Sequence, residues 1–385
     1  MTGRARDGPD VHRMHATPAE TKSGPRMRPN TGKSADRVSV LGRLLALAGA
    51  LILAVAGCQA TPEQGIPKPG HVFVINLENK GYDTVWGADS DAPYLAKTLR
   101  DRGVLLSKYY AIAHHSNPNY LAQISGQASN PMTRNDCGTY VPFTSTATAS
   151  PGQFEGTGCV YPASVPTVAG QLSAAGKTWK GYMEDMGTPC RHPEPGAEDD
   201  SQDASPGDQY ATRHNPFVYF EAITSSPECQ RNVVDFSELA RDLSSAATTP
   251  NLSYISPNLC NDGHDSPCVD GREGGLVSAD VWLKKHVPAI LGSPAFKQDG
   301  MLVITFDEAE GNGAGPHGVP GGTAGGRVGA LVLSPLTRGG TVSDRTYNHY
   351  SLLATIEDIF ALPRLGYAGA PGLNSFGPDV FNSGH

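Results

Sequence analysis

The sequence predicts an α/β protein, a three-layer α/β/α sandwich built on a largely parallel sheet. Short apolar runs that read as strands buried on both faces recur along the chain. Helix-like segments alternate with them, and polar residues follow at their carboxyl ends. A chain of 385 residues, 38% hydrophobic and 18% charged, has enough apolar material for such a core. Its 45 glycines and 31 prolines imply many loops without a collagen-like or low-complexity regime.

The first feature in chain order is an export signal. Leu44 to Val55 (LLALAGALILAV) is an apolar run of twelve residues, preceded by Arg37 and Arg43 and followed by Ala56-Gly57-Cys58. It is shorter than the roughly 20 residues a membrane-crossing helix needs, and it suits the core of a signal peptide. Val55-Ala56-Gly57-Cys58 resembles a bacterial lipobox, in which Cys58 is lipidated; an ordinary signal peptide with a chance cysteine is the alternative. Residues 1–57 are therefore assigned to the signal, with Met27 the more typical start, 58–70 to a polar tether and 71–385 to the folded domain. The expected location is outside the cell, as a membrane lipoprotein or a secreted protein.

Nine of the 30 basic and four of the 38 acidic residues lie in 1–57. That leaves 21 and 34 in the remaining 328 residues, a net charge of −13. Such an acidic body speaks against nucleic acid as a partner. An anionic substrate would need a locally positive site, such as a metal.

The domain opens with His71–Leu77 (HVFVINL), a nearly continuous apolar run and the first buried strand. Residues 92–102 read as a helix ended by Gly103, and 104–110 as a short strand. Residues 118–125 read as a helix with Pro118 at its first position. A helix over 166–176 precedes a strand at 178–182. Further buried strands are expected at 252–256, 301–306 and 328–333, and helices at 276–291 and 350–360. The stretches 127–165, 183–215 and 257–275 read as long loops, which in a compact domain are usually functional.

Cysteine usage agrees with export. Setting Cys58 aside, six of the seven cysteines remain: Cys137, Cys159, Cys190, Cys229, Cys260 and Cys268. An even number in an oxidising compartment suggests three disulfides. Spacing favours Cys137–Cys159 and Cys260–Cys268 as local loops, leaving Cys190–Cys229. The alternative is a zinc–thiolate site, which the absence of any CxxC pair disfavours.

Ligands of open α/β sheets bind beyond the carboxyl ends of the strands. The polar residues there are Glu78 and Asn79, the run His114-His115-Ser116-Asn117-Pro118-Asn119, the run from Pro257 to Asp265, and Asp307 with Glu308. Each alone has a bland explanation: a solvated loop, a helix cap, acidic surface. Together at one sheet edge, several carboxylates would repel one another without a cation, and oxygen-rich ligands suit a hard or borderline divalent metal.

The runs LENKGYD, AHHSNPNYLAQISG, RHNPF, SPNLCNDGHD, TFDE and YNHYSLLATIEDIF resemble the bacterial phosphoesterase family. That family includes secreted acid phosphatases and phosphatidylcholine-type phospholipases C, within the alkaline phosphatase superfamily. The resemblance covers roughly 71–362 and leans toward the small phosphatases, because the chain carries HHSNPNY. It implies an alkaline-phosphatase-like fold and a divalent metal held by Glu78, Asn79, Asp307 and Glu308. It implies Ser116 as nucleophile, forming a phosphoserine intermediate, with His264 or His214 protonating the departing alkoxide.

Asn119 and His349 match family positions at the substrate, and His115 is grouped with them as the neighbour that positions the serine. Where relatives continue Glu-Asn with His-Ser, this chain has Lys80-Gly81. Free N–H groups at the start of the Pro118 helix are expected to face the phosphoryl oxygens. The Gly-rich run around His317 reads as a lid and is kept out of the metal set. Expected partners are a phosphorylated small molecule or a phospholipid headgroup, and the membrane through the anchor; a monomer is expected. Two other readings stay open, a phospholipase C-type phosphodiesterase and a lipoprotein that binds phosphorylated ligands without turnover.

The lipobox reading yields a first prediction. Cys58→Ser should abolish acyl-chain labelling and release the protein from the membrane fraction. A parent protein that carries no label would refute it.

Overall fold

The computed structural model describes residues 68–310 and 325–382. Cys58, the apolar run before it, most of the 58–70 tether and His317 lie outside the described residues. In chain order the strands are β1 (His71–Leu77), β2 (Val104–Tyr110), β3 (Thr144–Ala149), β4 (Gln153–Thr157), β5 (Trp179–Met183), β6 (Val233–Asp235), β7 (Leu252–Ser256), β8 (Gly300–Phe306), β9 (Ala330–Leu333) and β10 (Thr341–Asn348). Eight of them form one sheet in the order β10-β2-β9-β8-β1-β7-β5-β6, while β3 and β4 make a separate hairpin. All neighbours in the large sheet are parallel except β9, which runs antiparallel to both β2 and β8.

Every residue of β1, β7 and β8 is buried. Successive side chains of a strand point to opposite faces, so the centre of the sheet is covered on both sides. The expected α/β class with a largely parallel sheet is what forms. The four longest α-helices among the described residues are α1 (Ser116–Ser125), α2 (Val168–Ala174), α3 (Gly275–Gly292) and α4 (His349–Ile359). Helix α1 packs against α4, which opens with a capping box between Asn348 and Ser351. The buried carboxylate of Asp280 on α3 accepts the N–H groups of Tyr94 and Leu95 at 3.0 and 2.8 Å.

Some local expectations need correcting. The helix expected over 92–102 is a π-helical turn at Tyr94–Leu99 followed by a 3-10 turn at Arg100–Arg102. Helix α1 starts two residues earlier than expected, so Pro118 is its third residue and not its first. The missing N–H there still belongs to the first turn, where no intrahelical partner waits, so the helix tolerates it. Strands β6 and β10 and the β3–β4 hairpin were not expected. The edge strand β10 carries Asp344 and Arg345 outward, and TSTATA in β3 is almost wholly exposed, so neither shows an apolar run.

Register sets up the site. In the β1–β8 pair Leu77 lies opposite Phe306, and in the β1–β7 pair Ile75 lies opposite Ile255. The residues following these strands therefore emerge together, Glu78 beside Asp307 and both beside the loop after Ser256.

Three disulfides form, Cys137–Cys159, Cys190–Cys229 and Cys260–Cys268, with Cα separations of 5.8, 5.3 and 5.1 Å. This is the pairing that spacing favoured, and it leaves no thiolate for zinc among these six. Each bridge should contribute about 2–4 kcal/mol, chiefly by restricting the unfolded chain. Thiol titration of the denatured, unreduced protein should find none of these six cysteines free; two or more titratable thiols would contradict the pairing.

Candidate active site

The turn that carries Ser116 connects β2 to α1. Asn119 shapes it from within: its Oδ1 accepts the N–H groups of Ile112 and Ala113 at 2.9 and 3.1 Å, and its Nδ2 donates to the carbonyls of Ala113 and His115 at 3.0 and 2.9 Å. All four hydrogen-bonding positions of the amide are thus engaged. Asn119 braces the turn and has no group left for a phosphate, contrary to expectation. His115 sits at φ 79°, in the left-handed region that costs a β-carbon-bearing residue about 1–3 kcal/mol. Its N–H donates to Glu308 Oε2 at 2.7 Å, and its half-exposed ring faces Asp136 at 3.2 Å.

Ser116 Oγ donates to Glu78 Oε2 at 2.9 Å. Tyr120, one helical turn further on, donates its hydroxyl to Glu78 Oε1 at 2.6 Å. The His214 ring stacks on Tyr120 with centroids 5.2 Å apart, Nε2 lying 3.4 Å from Glu78 Oε1 and Nδ1 3.0 Å from Asp262 Oδ2. Asp262 Oδ1 accepts the His264 N–H at 2.8 Å, and the Asp262 carbonyl accepts the Glu78 N–H at 2.9 Å. Ligand atoms of Glu78, His214 and Asp262 all lie within 4.8 Å of one another.

Asp307 Oδ1 accepts the N–H groups of Asn79 and Glu308 at 3.0 and 2.6 Å, whereas its buried Oδ2 has no hydrogen-bond partner. Glu308 Oε2 also lies 2.6 Å from His114 Nδ1. Four carboxyl groups, Glu78, Asp262, Asp307 and Glu308, are therefore clustered at 0–5% exposure.

Burial dominates their chemistry. It raises Glu78 well above the ordinary carboxylate range, helped by the charges of Asp307 and Asp262. It raises Asp262 likewise, against the opposing pull of the His264 N–H and of Arg213. Asp307 is pushed up to about 6, and Glu308 to about 9 by burial and then by the Asp307 charge. Burial holds His214 well below its usual value, with Arg213 and His264 adding to the effect. Carboxyl oxygens, a neutral imidazole and the partnerless Asp307 Oδ2 fit a hard or borderline divalent cation.

Of the expected metal ligands, Glu78, Asp307 and Glu308 converge here. Asn79, at φ 54°, contributes its backbone N–H to Asp307. Asp262 was not foreseen, although it stands within the NDGHD run, and His214, expected as an acid, lies with it and Glu78 in the cluster that could hold a metal. Tyr120 was also missed, and its signal was the four-residue spacing from Ser116.

Two other histidines take structural duties. Arg213, a donor only, places a nitrogen 3.3 Å from His264 Nε2, so that nitrogen accepts and Nδ1 donates to Asp265 at 2.7 Å. Both nitrogens are thus engaged within the protein. His349, fully buried and lowered to about 4, donates through Nε2 to the Asp307 carbonyl at 2.6 Å, while Nδ1 faces the Tyr109 hydroxyl and Gln123. Both of its ring nitrogens face protein groups, and one of them braces Asp307. The expected open helix start is partly closed, because Asp136 takes the Asn117 N–H at 2.9 Å and Pro118 has none.

The family model described as the Phosphoesterase family matches residues 88–363. The chain belongs to this family. Among curated relatives, the phosphatidylinositol-3-phosphatase of Mycobacterium tuberculosis is 28% identical over 333 residues, covering 85% of this chain and 91% of its own length. The phosphate-repressible acid phosphatase of Penicillium chrysogenum is 26% identical, covering 84% of this chain and 72% of that protein. An acid phosphatase of Aspergillus fumigatus is 27% identical over 76% of this chain, which spans 55% of the Aspergillus protein and 59% of a Kluyveromyces lactis relative. A solved structure in the alkaline phosphatase superfamily from Vibrio parahaemolyticus aligns with TM-score 0.47 and 11% identity, over 79% of this chain and 70% of that one.

The raised carboxyls give this phosphoesterase a signed pH dependence. A carboxyl with a higher value folded than unfolded binds more protons in the folded state, so stability falls as pH rises. In chelator, the melting temperature should drop from about pH 5 to about pH 9, through the values of Asp307 and Glu308. Asp307→Asn should flatten the slope. A melting temperature that climbs across this range would contradict the assignment.

Proposed function

We propose that this phosphoesterase is an exported phosphomonoesterase that depends on a divalent cation and works through a phosphoserine. The observation that carries the reading is the 2.9 Å hydrogen bond from Ser116 Oγ to the buried Glu78, at the carboxyl ends of the central strands. Glu78, His214, Asp262 and Asp307 are the residues that would hold the cation, with Glu308 beside them. The cation would lower the pKa of the serine hydroxyl and offset the negative charge of the phosphate.

Glu78 fixes the direction of the Ser116 hydroxyl and lies where its proton can be taken. As the serine oxygen bonds to phosphorus, the ester P–O bond breaks, and water later releases inorganic phosphate. His214, neutral through burial, suits a ligand, while His114, 2.6 Å from Glu308, has a side chain 35% exposed. Tyr120 and His349 act by holding Glu78 and Asp307 in place.

The Mycobacterium relative favours a phosphorylated inositol headgroup within the substrate class, since the match spans 91% of it. Its name denotes a monoester at an inositol position, and the acid phosphatase relatives also bear names of monoester enzymes. Three disulfides suit an oxidising exterior. Among the described residues no helix is long and apolar enough to cross a membrane, and in this proposal attachment rests on a lipidated Cys58.

Ser116→Ala should keep the fold and lose turnover by about a thousandfold, near 4 kcal/mol of transition-state stabilisation. Chelation should imitate Asp307→Ala, which loses cation and activity together. Near-parent turnover in Ser116→Ala would refute serine attack, and faster cleavage of a diester than of the matched monoester would favour the phospholipase C-type reading.

A further inference from the structure

The residue before Ser116 has φ 79°, and the turn keeps that conformation because it is held from both sides. On one side Glu308 takes the His115 N–H. On the other is Asp136, outside the cation cluster and distant in sequence. Its Oδ1 accepts the Asn117 N–H at 2.9 Å, and its Oδ2 lies 3.2 Å from His115 Nδ1. One carboxylate thus grips both neighbours of the serine. A carboxylate on a first-turn N–H is also well placed with respect to the dipole of α1.

Asp136 is itself held in an unusual conformation. Asp136 and Cys137 both lie in the left-handed region, at φ 49° and 52°. Two successive residues with β-carbons rarely adopt it unless their surroundings impose it. The surroundings here are the fully buried Cys137, bridged to Cys159, and two backbone hydrogen bonds, from Asp136 N–H to the Thr133 carbonyl and from Cys137 N–H to the Met132 carbonyl, each 3.1 Å. The Asp136 carbonyl accepts Gln202 Nε2 at 3.2 Å, and the Gln202 carbonyl accepts Arg213 at 2.6 Å. Arg213 in turn faces His264. The loop closed by Cys137–Cys159 is therefore joined to the turn that carries the serine and to the residues around the cation cluster.

We infer that Asp136 is a positioning residue for the Ser116 turn and that the Cys137–Cys159 bridge is its anchor. Asp136 acts through His115 and Asn117, so its loss misdirects the serine hydroxyl without removing a group that reacts. This inference rests on Ser116 as the attacking group.

The test uses the full mature chain, with kcat, KM and melting temperature measured on a chromogenic phosphomonoester. Asp136→Ala should lower kcat by about 10- to 100-fold with KM within about twofold, because misplacement costs rate more than affinity. Asp136→Asn keeps an acceptor for the Asn117 N–H and should recover most of that loss. Cys137→Ser/Cys159→Ser should lower kcat similarly, and adding Asp136→Ala to it should change kcat by less than about twofold, since the two act as one unit. A folded Asp136→Ala variant at parent kcat would overturn the inference, as would losses that multiply in the combined variant. If Asp136→Ala does not fold, Cys137→Ser/Cys159→Ser decides: a lowered kcat at unchanged KM supports the role, and a parent-like kcat overturns it. Ser116→Ala run in parallel separates the two levels. Parent-like turnover there removes the nucleophile, whereas lost turnover there with a folded, parent-like Asp136→Ala variant removes only the role of Asp136.

Discussion

Four carboxyl groups held out of water at the ends of three adjacent strands are the constraint on which this structure turns. Burying one ionised carboxylate without compensation costs several kcal/mol, and placing several side by side adds mutual repulsion. Glu78, Asp262, Asp307 and Glu308 are nonetheless all at 5% exposure or less. The fold compensates in part with hydroxyls from Ser116 and Tyr120, with backbone N–H groups and with the stacked imidazole of His214. Asp307 Oδ2 is left with no hydrogen-bond partner in the protein. An arrangement that tolerates such crowding suits a cation, and a serine pointing into it suits an electrophile that arrives with negative charge of its own.

The sheet and the loops contribute differently. Parallel pairing of β1 with β7 and β8 fixes where Glu78 and Asp307 stand, because both are the first residue after a buried strand whose register is set by apolar side chains. His214 and Asp262 come from long connections with no such register, and the short serine turn is gripped by Asp136 from another such connection. Cys260–Cys268 brackets Asp262 and His264, Cys190–Cys229 secures the loop leading to His214, and Cys137 adjoins Asp136. Covalent bridges thus supply at the loops the positional precision that hydrogen-bonded pairing supplies at the strands.

That division explains what the sequence made legible. The buried strands and the polar residues just beyond them could be read directly, because an apolar run and its end are local features. Glu78, Asp307 and Glu308 were singled out for that reason, whereas Ser116 was singled out through the family resemblance and the helix it precedes. Asp262 was visible as a residue yet not as a ligand, since its meeting with His214 depends on two loops separated by 48 residues. Asn119 and His349 were assigned to the substrate because they match family positions there. Their hydrogen bonds run within the protein itself, which no one-dimensional pattern displays. Polar edge elements such as β10 escaped notice because burial, not composition, marks a strand.

The central claim is that Ser116, aimed by Glu78, becomes covalently phosphorylated. The most direct measurement is acid quenching during turnover of a phosphomonoester, followed by peptide mass mapping of the trapped protein. The account predicts a phosphoryl group on the peptide containing Ser116, rising to a steady level and vanishing when substrate is exhausted. Turnover with that peptide unmodified at every quench time, or with the label on another residue, would contradict it.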